Sequence, residues 1–264
     1  MEKKFKSIDQ VILNYYAAKG IKAVIDENNN QNKSQIEKDI TYIVRRLLAP
    51  QVGDRQLLEL YSEIVDFTEV NVLPALLASC SLEAMEKYRF KDAPSVTTVE
   101  DDNRHLSSTV SNYKELSKVT LYDHTIHVVR NILNNYSKEH TVTKINIVLC
   151  GLLHDFGKQS TIRNISKEKN MPVTFHASVS GFFVKDLLYS SASEKASEIF
   201  PEDSQPVIFK SLPKKIAEVA KLVENHHDAS KNTKGILAKM KEADTLARIE
   251  EMKQIEKEGK NEKK

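Results

Sequence analysis

Apolar residues recur every three or four positions along most of the chain, which is the spacing of one face of an α-helix. In the first hundred residues this spacing predicts helices over 6–18, 34–48, 54–70 and 73–88. Pro50 ends the second of these helices, and Pro74 lies near a helix start, where proline is tolerated. We expect the apolar stripes of the last two helices to pack against the rest of the protein, although a homodimer interface would use the same residues.

A polar stretch without helical period, residues 91–109, separates this region from the remainder of the chain. Beyond it the pattern predicts five helices, over 121–136, 144–154, 175–188, 213–227 and 235–251. Pro213 is expected at the first position of its helix, where the missing N–H leaves no hydrogen bond unmade. Patterns typical of strands are few. The sequence therefore predicts an all-α fold with an N-terminal helical region 1–105, a second unit 106–252 and a charged tail 253–264.

Composition agrees with this fold and bears on which partners the protein could have. Only seven glycines and seven prolines occur in 264 residues, which favours helices over a turn-rich β architecture. A net charge of +2 gives no indication of nucleic acid or an acidic membrane as partner. No window approaches the roughly 18 apolar residues of a spanning helix, and the charged first ten residues lack the apolar core of a signal peptide. We expect a cytoplasmic protein without a membrane span.

Several residues that often carry chemistry are predicted to be structural here. Cys80 and Cys150 lie far apart in apolar helical patterns and are expected to be buried free thiols. His105 and His140 fall in polar connections and are expected to be solvated.

The other histidines follow the apolar faces of the predicted helices. His124 shares a face with apolar residues and should point to the core, while His127 lies about 60° away, where it can support the site or face a substrate. The apolar face of the helix over 144–154 brings His154 and Asp155 to its C-terminal end. Gly157 follows as a predicted helix stop.

The same placement recurs further along the chain. His176 begins a predicted helix, His226 and His227 end another, and Asp244 lies on the apolar face of the last one. Adjacent residues on a helix point about 100° apart, so only one of His226 and His227 should point straight at a shared site, and the sequence does not choose between them.

Burying these side chains without partners would cost several kcal/mol for the carboxylates. A divalent metal removes that cost. Imidazole nitrogens with carboxylate oxygens suit Mn, Fe, Ni, Co or Zn, and the lack of neighbouring cysteines argues against a structural zinc cluster.

The segments that carry these residues resemble the HD-domain metal-dependent phosphohydrolase superfamily over about residues 117–250. They are, in order, LYDHTIHVV, GLLHDFGK, FHASVSG, LVENHHDAS and KEADTLAR. The resemblance implies a five-helix core with a metal site formed by His124, His154, Asp155 and Asp244.

The additional histidines resemble the second-metal ligands of the binuclear branch of that superfamily. They are His176 and either His226 or His227. The run HHDASKNTKG lacks the Gly-Tyr-Pro signature of the cyclic di-GMP phosphodiesterases, which argues against that substrate.

A pair of divalent ions would suit phosphoryl chemistry, because one can convert water to hydroxide near neutral pH while the other holds phosphate oxygens. Asp155 is predicted to bridge them. Lys158 is predicted to neutralise charge on the phosphoryl oxygens, or alternatively to cap the helix end. Arg163 and Arg248 are candidate phosphate contacts, although surface salt bridges are the commoner role of arginine.

The expected function is hydrolysis of a phosphomonoester or phosphodiester bond of a small-molecule nucleotide. Two alternatives remain open on the sequence. The same ligand frame can support a di-iron oxygenase, and an HD module can sense a nucleotide with little turnover.

Overall fold

A computed structural model describes residues 41–96, 115–171, 173–200, 205–227 and 235–261. Within these ranges the protein is helical and has no β-strand, only an isolated antiparallel bridge between Pro94 and Thr120. The prediction of an all-α fold is confirmed. The nine α-helices of the described residues are α1 Arg55–Phe67, α2 Val72–Lys87, α3 Leu121–Asn135, α4 Thr141–Leu153, α5 Ser160–Glu168, α6 His176–Phe183, α7 Tyr189–Ile199, α8 Gln205–Glu224 and α9 Ile236–Asn261.

Four short elements join these helices. They are π-helices at Ile43–Leu47 and Val184–Leu188 and 3-10 helices at Phe90–Asp92 and Phe156–Lys158. The helix predicted over 6–18, the start of the one over 34–48, His105 and the boundary at 105 lie outside the described residues.

Helices α1 and α2 share one hydrophobic core with the rest of the protein. Asp54 begins α1 by accepting a hydrogen bond from the Gln56 amide, and Asn71 begins α2 in the same way. α2 packs against α4 and α7, and its Leu76 and Leu77 are fully buried. Burial of such a side chain contributes about 1.5–3 kcal/mol. The expectation that these stripes pack against the remainder of the protein is confirmed.

Helices α2, α3, α8 and α9 pack against α4, whose residues from Lys144 to the end of the helix are all buried. α3 and α9 pack against each other and against α4, while α8 packs on α4 and α6. α6 also contacts the 3-10 helix Phe156–Lys158. This packing brings the end of α4, the start of α6 and the end of α8 together.

Two of the predicted helix limits need correction, and one helix was missed. α5 was not predicted at all, and the helix predicted to end at 188 continues through a π-helix into α7. The prediction that Pro213 begins a helix is wrong, because α8 starts at Gln205 and contains Pro213. Pro213 is exposed, so water can satisfy the carbonyl that the missing N–H leaves without a partner.

The end of the described chain is helical as well. α9 continues to Asn261, across the predicted limit of the second unit at residue 252. Cys80 and Cys150 are free and buried, as predicted. No helix among the described residues has the length and apolar character needed to cross a bilayer.

Candidate metal centre

The predicted ligands come together from α3, α6 and α9 and from the turns that follow α4 and α8. Six of them form two groups, and within each group one ligand atom per residue lies within 4.8 Å of the others. The first group is His124, His154 and Asp244, and the second is His176, His226 and His227. All are buried except His227 and Asp244, and the side chain of Asp244 is 28% exposed.

Asp155 lies between the two groups. Its Oδ2 is 3.3 Å from His154 Nε2 and 3.5 Å from His124 Nε2. Its Oδ1 is 3.2 Å from His176 Nε2. Each carboxylate oxygen therefore faces a different group.

Three of the histidines are oriented by a hydrogen bond from their other ring nitrogen. His154 Nδ1 lies 2.8 Å from the Gly151 carbonyl oxygen, and His226 Nδ1 lies 2.6 Å from the Val223 carbonyl oxygen. His124 Nδ1 lies 2.9 Å from Glu251 Oε1. Because these oxygens accept, each Nδ1 donates, and each Nε2 is the nitrogen turned towards the site. Histidines that bind a metal are commonly oriented in this way, by a hydrogen bond from the other ring nitrogen.

The donor set fits a divalent metal. The buried Nε2 atoms of His124 and His154 and the buried Oδ1 of Asp155 have no hydrogen-bond partner among the described residues. Such groups are costly without a partner, and a cation that accepts imidazole and carboxylate ligands would supply one.

The charges of the site follow from burial and proximity. Burial raises the pKa of Asp155, but His154 and Lys158 outweigh it, so the pKa lies well below the ordinary value. Burial and the neighbouring His227 lower the pKa of His226. Asp155 is therefore ionised and His226 neutral, and both forms can coordinate a metal.

Both His226 and His227 face the second group, although helical geometry predicted only one. His227 Nε2 is 2.7 Å and His226 Nε2 is 3.4 Å from His176 Nε2. The prediction assumed that the helix extends through both residues. In the structure α8 ends at Glu224 and a turn follows, so the 100° spacing does not apply.

Lys158 is buried beside Asp155, with 6% of its side chain exposed. Its Nζ donates to Asp155 Oδ2 at 2.8 Å and to the Ser95 carbonyl oxygen at 3.0 Å. Among the described residues it makes no hydrogen bond to the last carbonyls of α4, so the alternative of a helix-capping lysine receives no support.

The two arginines are engaged by the protein itself. Arg163 Nε donates to the Gly157 carbonyl oxygen at 2.7 Å, and its Nη1 donates to Val173 O at 3.4 Å. Arg248 Nη1 donates to Ser95 Oγ at 2.8 Å, and Nη2 donates to the Ser95 carbonyl oxygen at 3.2 Å. Arg163 thus joins the 3-10 helix Phe156–Lys158 to the segment before α6, and Arg248 joins α9 to Ser95.

The HD domain family model matches residues 121–258, which is more than half of the chain. The protein belongs to the HD domain family. The resemblance found in the sequence is confirmed, and members of this superfamily are generally metal-dependent hydrolases. Comparison with curated proteins gave no match. Comparison with solved structures gave none either.

The segment that carries His154 and Asp155 is held by α6. The Gly157 amide donates to Ser180 Oγ at 2.7 Å, and that hydroxyl donates to the His154 carbonyl oxygen at 2.7 Å. α4 ends before Gly157, as predicted, but it ends at Leu153 and Gly157 is not its cap. Gly157 lies within the 3-10 helix Phe156–Lys158 and has no positive φ.

Sequence reasoning missed two residues next to the HD site. Glu251 contacts His124 and lies seven residues after Asp244 on α9, so a search for carboxylates two helical turns away would have found it. Ser95 precedes the part of the chain that matches the HD family, and nothing in its local sequence indicates the contact with Lys158 and Arg248.

Proposed function

We propose that this HD domain protein is a metal-dependent phosphohydrolase that cleaves a phosphomonoester or phosphodiester bond of a nucleotide, using two divalent ions. The observation that carries the proposal is the position of Asp155, with one oxygen towards each group of candidate ligands. Two cations held close together can stabilise both the attacking and the leaving oxygen of an in-line displacement at phosphorus, and a bridging carboxylate would hold them at that distance.

Two sets of ligands share the bridging carboxylate. His124, His154, Asp155 and Asp244 would hold the first ion. Asp155, His176, His226 and His227 would hold the second. Mn, Fe, Ni, Co and Zn all accept such ligands. When bound, the ions supply Lewis acidity to the phosphate oxygens and lower the pKa of water.

Asp155 and Lys158 carry the remaining catalytic roles. Asp155 stays ionised because Lys158 and the histidines surround it. Two of the three N–H donors of Lys158 bind Asp155 and Ser95 within the described residues, which leaves one donor for a phosphoryl oxygen. A buried cation at this position stabilises negative charge that develops on the phosphate.

Arg163 and Arg248 have a different part in this proposal. Both donate hydrogen bonds to groups of the protein, Arg163 to the carbonyl oxygens of Gly157 and Val173 and Arg248 to Ser95 and Glu251. We assign them to holding the site together rather than to binding phosphate.

The test is a substrate screen of the full chain saturated with Mn²⁺. Nucleoside phosphates, cyclic nucleotides, dinucleotides and a generic phosphodiester are supplied, and product release is measured. Asp155→Ala should abolish the activity. Asp186→Ala, which removes an exposed aspartate paired with Lys169, should not change it.

Several results would contradict the proposal. Activity that survives Asp155→Ala would show that Asp155 is not needed to bridge two ions. Two bound irons with oxygen consumption would point to an oxygenase, and tight nucleotide binding without turnover would point to a sensing module.

A further inference from the structure

Glu251 is buried between two imidazoles and an arginine. Its side chain is 1% exposed. Its Oε1 lies 2.9 Å from His124 Nδ1 and 3.2 Å from His127 Nδ1, while its Oε2 accepts from Arg248 Nη1 at 3.1 Å. Both oxygens of the carboxylate are therefore used.

Glu251 sets the direction of both imidazoles. A carboxylate oxygen accepts, so the Nδ1 atoms of His124 and His127 both point at Oε1 of Glu251. His124 Nε2 is thereby turned towards Asp244, 3.1 Å from its Oδ1.

The same carboxylate begins a chain of hydrogen bonds that ends at the bridging aspartate. Arg248 connects Glu251 to Ser95, whose carbonyl oxygen also accepts from Lys158. Lys158 in turn donates to Asp155. The chain thus links His124 to Asp155 around the outside of the first ligand group, through a residue that precedes the HD family match.

We propose that Glu251 is a positioning residue for the metal centre, which acts by fixing the tautomer and orientation of His124 and by anchoring the Arg248–Ser95–Lys158 chain. The inference rests on the metal site of the proposed function. A carboxylate behind a ligand histidine also increases the basicity of the coordinating nitrogen, and loss of such a partner typically weakens metal affinity by about 10–100-fold.

The test measures Co²⁺ alone, because its visible d–d bands report ligand geometry without any substrate. Co²⁺ is titrated into the wild type, Glu251→Ala and Glu251→Gln. Glu250→Ala is the matched control: Glu250 is the adjacent residue on α9 and also joins α9 to α3, through Asn131, but it touches no candidate ligand. Circular dichroism and thermal unfolding establish which variants are folded.

Glu251→Ala should weaken Co²⁺ binding by about 10–100-fold and shift the d–d bands. Glu251→Gln keeps the side-chain volume and one acceptor oxygen, so its loss of affinity should be smaller but measurable. Glu250→Ala should match the wild type in affinity and spectrum.

The outcomes separate the two proposals. Wild-type affinity and spectrum in every folded Glu251 variant would overturn the positioning role while leaving the metal site intact. Failure of the wild type to bind Co²⁺ would overturn the metal site and the role of Glu251 together.

Discussion

A β-carbon added to Gly157 would lie 2.0 Å from the carbonyl oxygen of His176. The same atom would lie 2.8 Å from the Ser180 amide nitrogen. The segment that carries Asp155 and the helix that begins with His176 therefore meet backbone to backbone. Only glycine permits this approach.

Gly157→Ala should destabilise the protein by about 1–3 kcal/mol, because the backbone atoms it meets cannot rotate away as a flexible side chain could. It should also weaken binding at the second group, since α6 must shift to relieve the clash. Urea unfolding of the metal-free protein and Co²⁺ stoichiometry measure the two effects.

Gly53→Ala is the matched control for that substitution. The nearest atom to a β-carbon there is Glu86 Oε1 at 3.7 Å, an ordinary contact. Its effect should stay within about 0.5 kcal/mol. Equal stability of the two variants would show that the close approach at Gly157 does not constrain the site.

His227→Ala should reduce the number of bound Mn²⁺ ions from two to one, because His227 belongs to the second group and leaves the first unchanged. Metal analysis after equilibrium dialysis measures the stoichiometry. His140→Ala serves as control, since His140 is exposed at the start of α4 and makes no side-chain capping bond. Two ions in His227→Ala, or one in the wild type, would contradict the assignment.

Lys158→Met should destabilise the metal-free protein by about 3–5 kcal/mol, because the buried Asp155 carboxylate loses its cationic partner. Added Mn²⁺ should recover part of this loss by pairing the same carboxylate. Chemical unfolding with and without Mn²⁺ measures both effects.

The comparison for Lys158 is an exposed pair. Lys185→Met breaks the contact with Glu224, in which the lysine side chain is 53% exposed, and should cost at most about 1 kcal/mol. A cost for Lys158→Met no larger than that of Lys185→Met would show that the buried pair is not important for stability.

Asp54→Asn should lower stability near neutral pH and lose its effect in acid. Burial raises the pKa of Asp54, but hydrogen bonds from Lys91 and Tyr122 outweigh it and the pKa is lowered. A lowered folded pKa gives stability that is present above the unfolded value of about 3.9 and is lost as pH falls through the folded pKa.

Because Asn still caps α1, this variant keeps the cap and removes the charge together with the Oδ2 acceptor that Lys91 and Tyr122 use. The difference in unfolding free energy from the wild type should be below about 1 kcal/mol at pH 7, as Lys91 is exposed. It should shrink as the pH falls below about 4. A difference that stays constant down to pH 2 would exclude the charge of Asp54 as its source.

Local pattern determined a large part of this protein. The period of apolar residues predicted α1, α2, α3, α4 and α9 because each helix buries one continuous face or more. The order of histidines and aspartates on those faces predicted the HD domain family, and every predicted ligand lies at the site. The prediction that Pro213 begins a helix relied on the preference of proline for the first helical position. At an exposed position inside a helix, the missing N–H is tolerated better than this preference indicates.

Only the tertiary structure decided how these residues meet. Whether His226 and His227 face one group depended on the turn after α8, and the contact of Gly157 with His176 depended on how closely two backbones pack. Ser95 reaches Lys158 and Arg248 from a part of the chain far away in sequence. Such contacts arise from packing between helices rather than from local preferences. The sequence by itself therefore determined the candidate ligands. The fold determined the contact of Glu251 with His124 and the backbone contacts that hold the ligands in place.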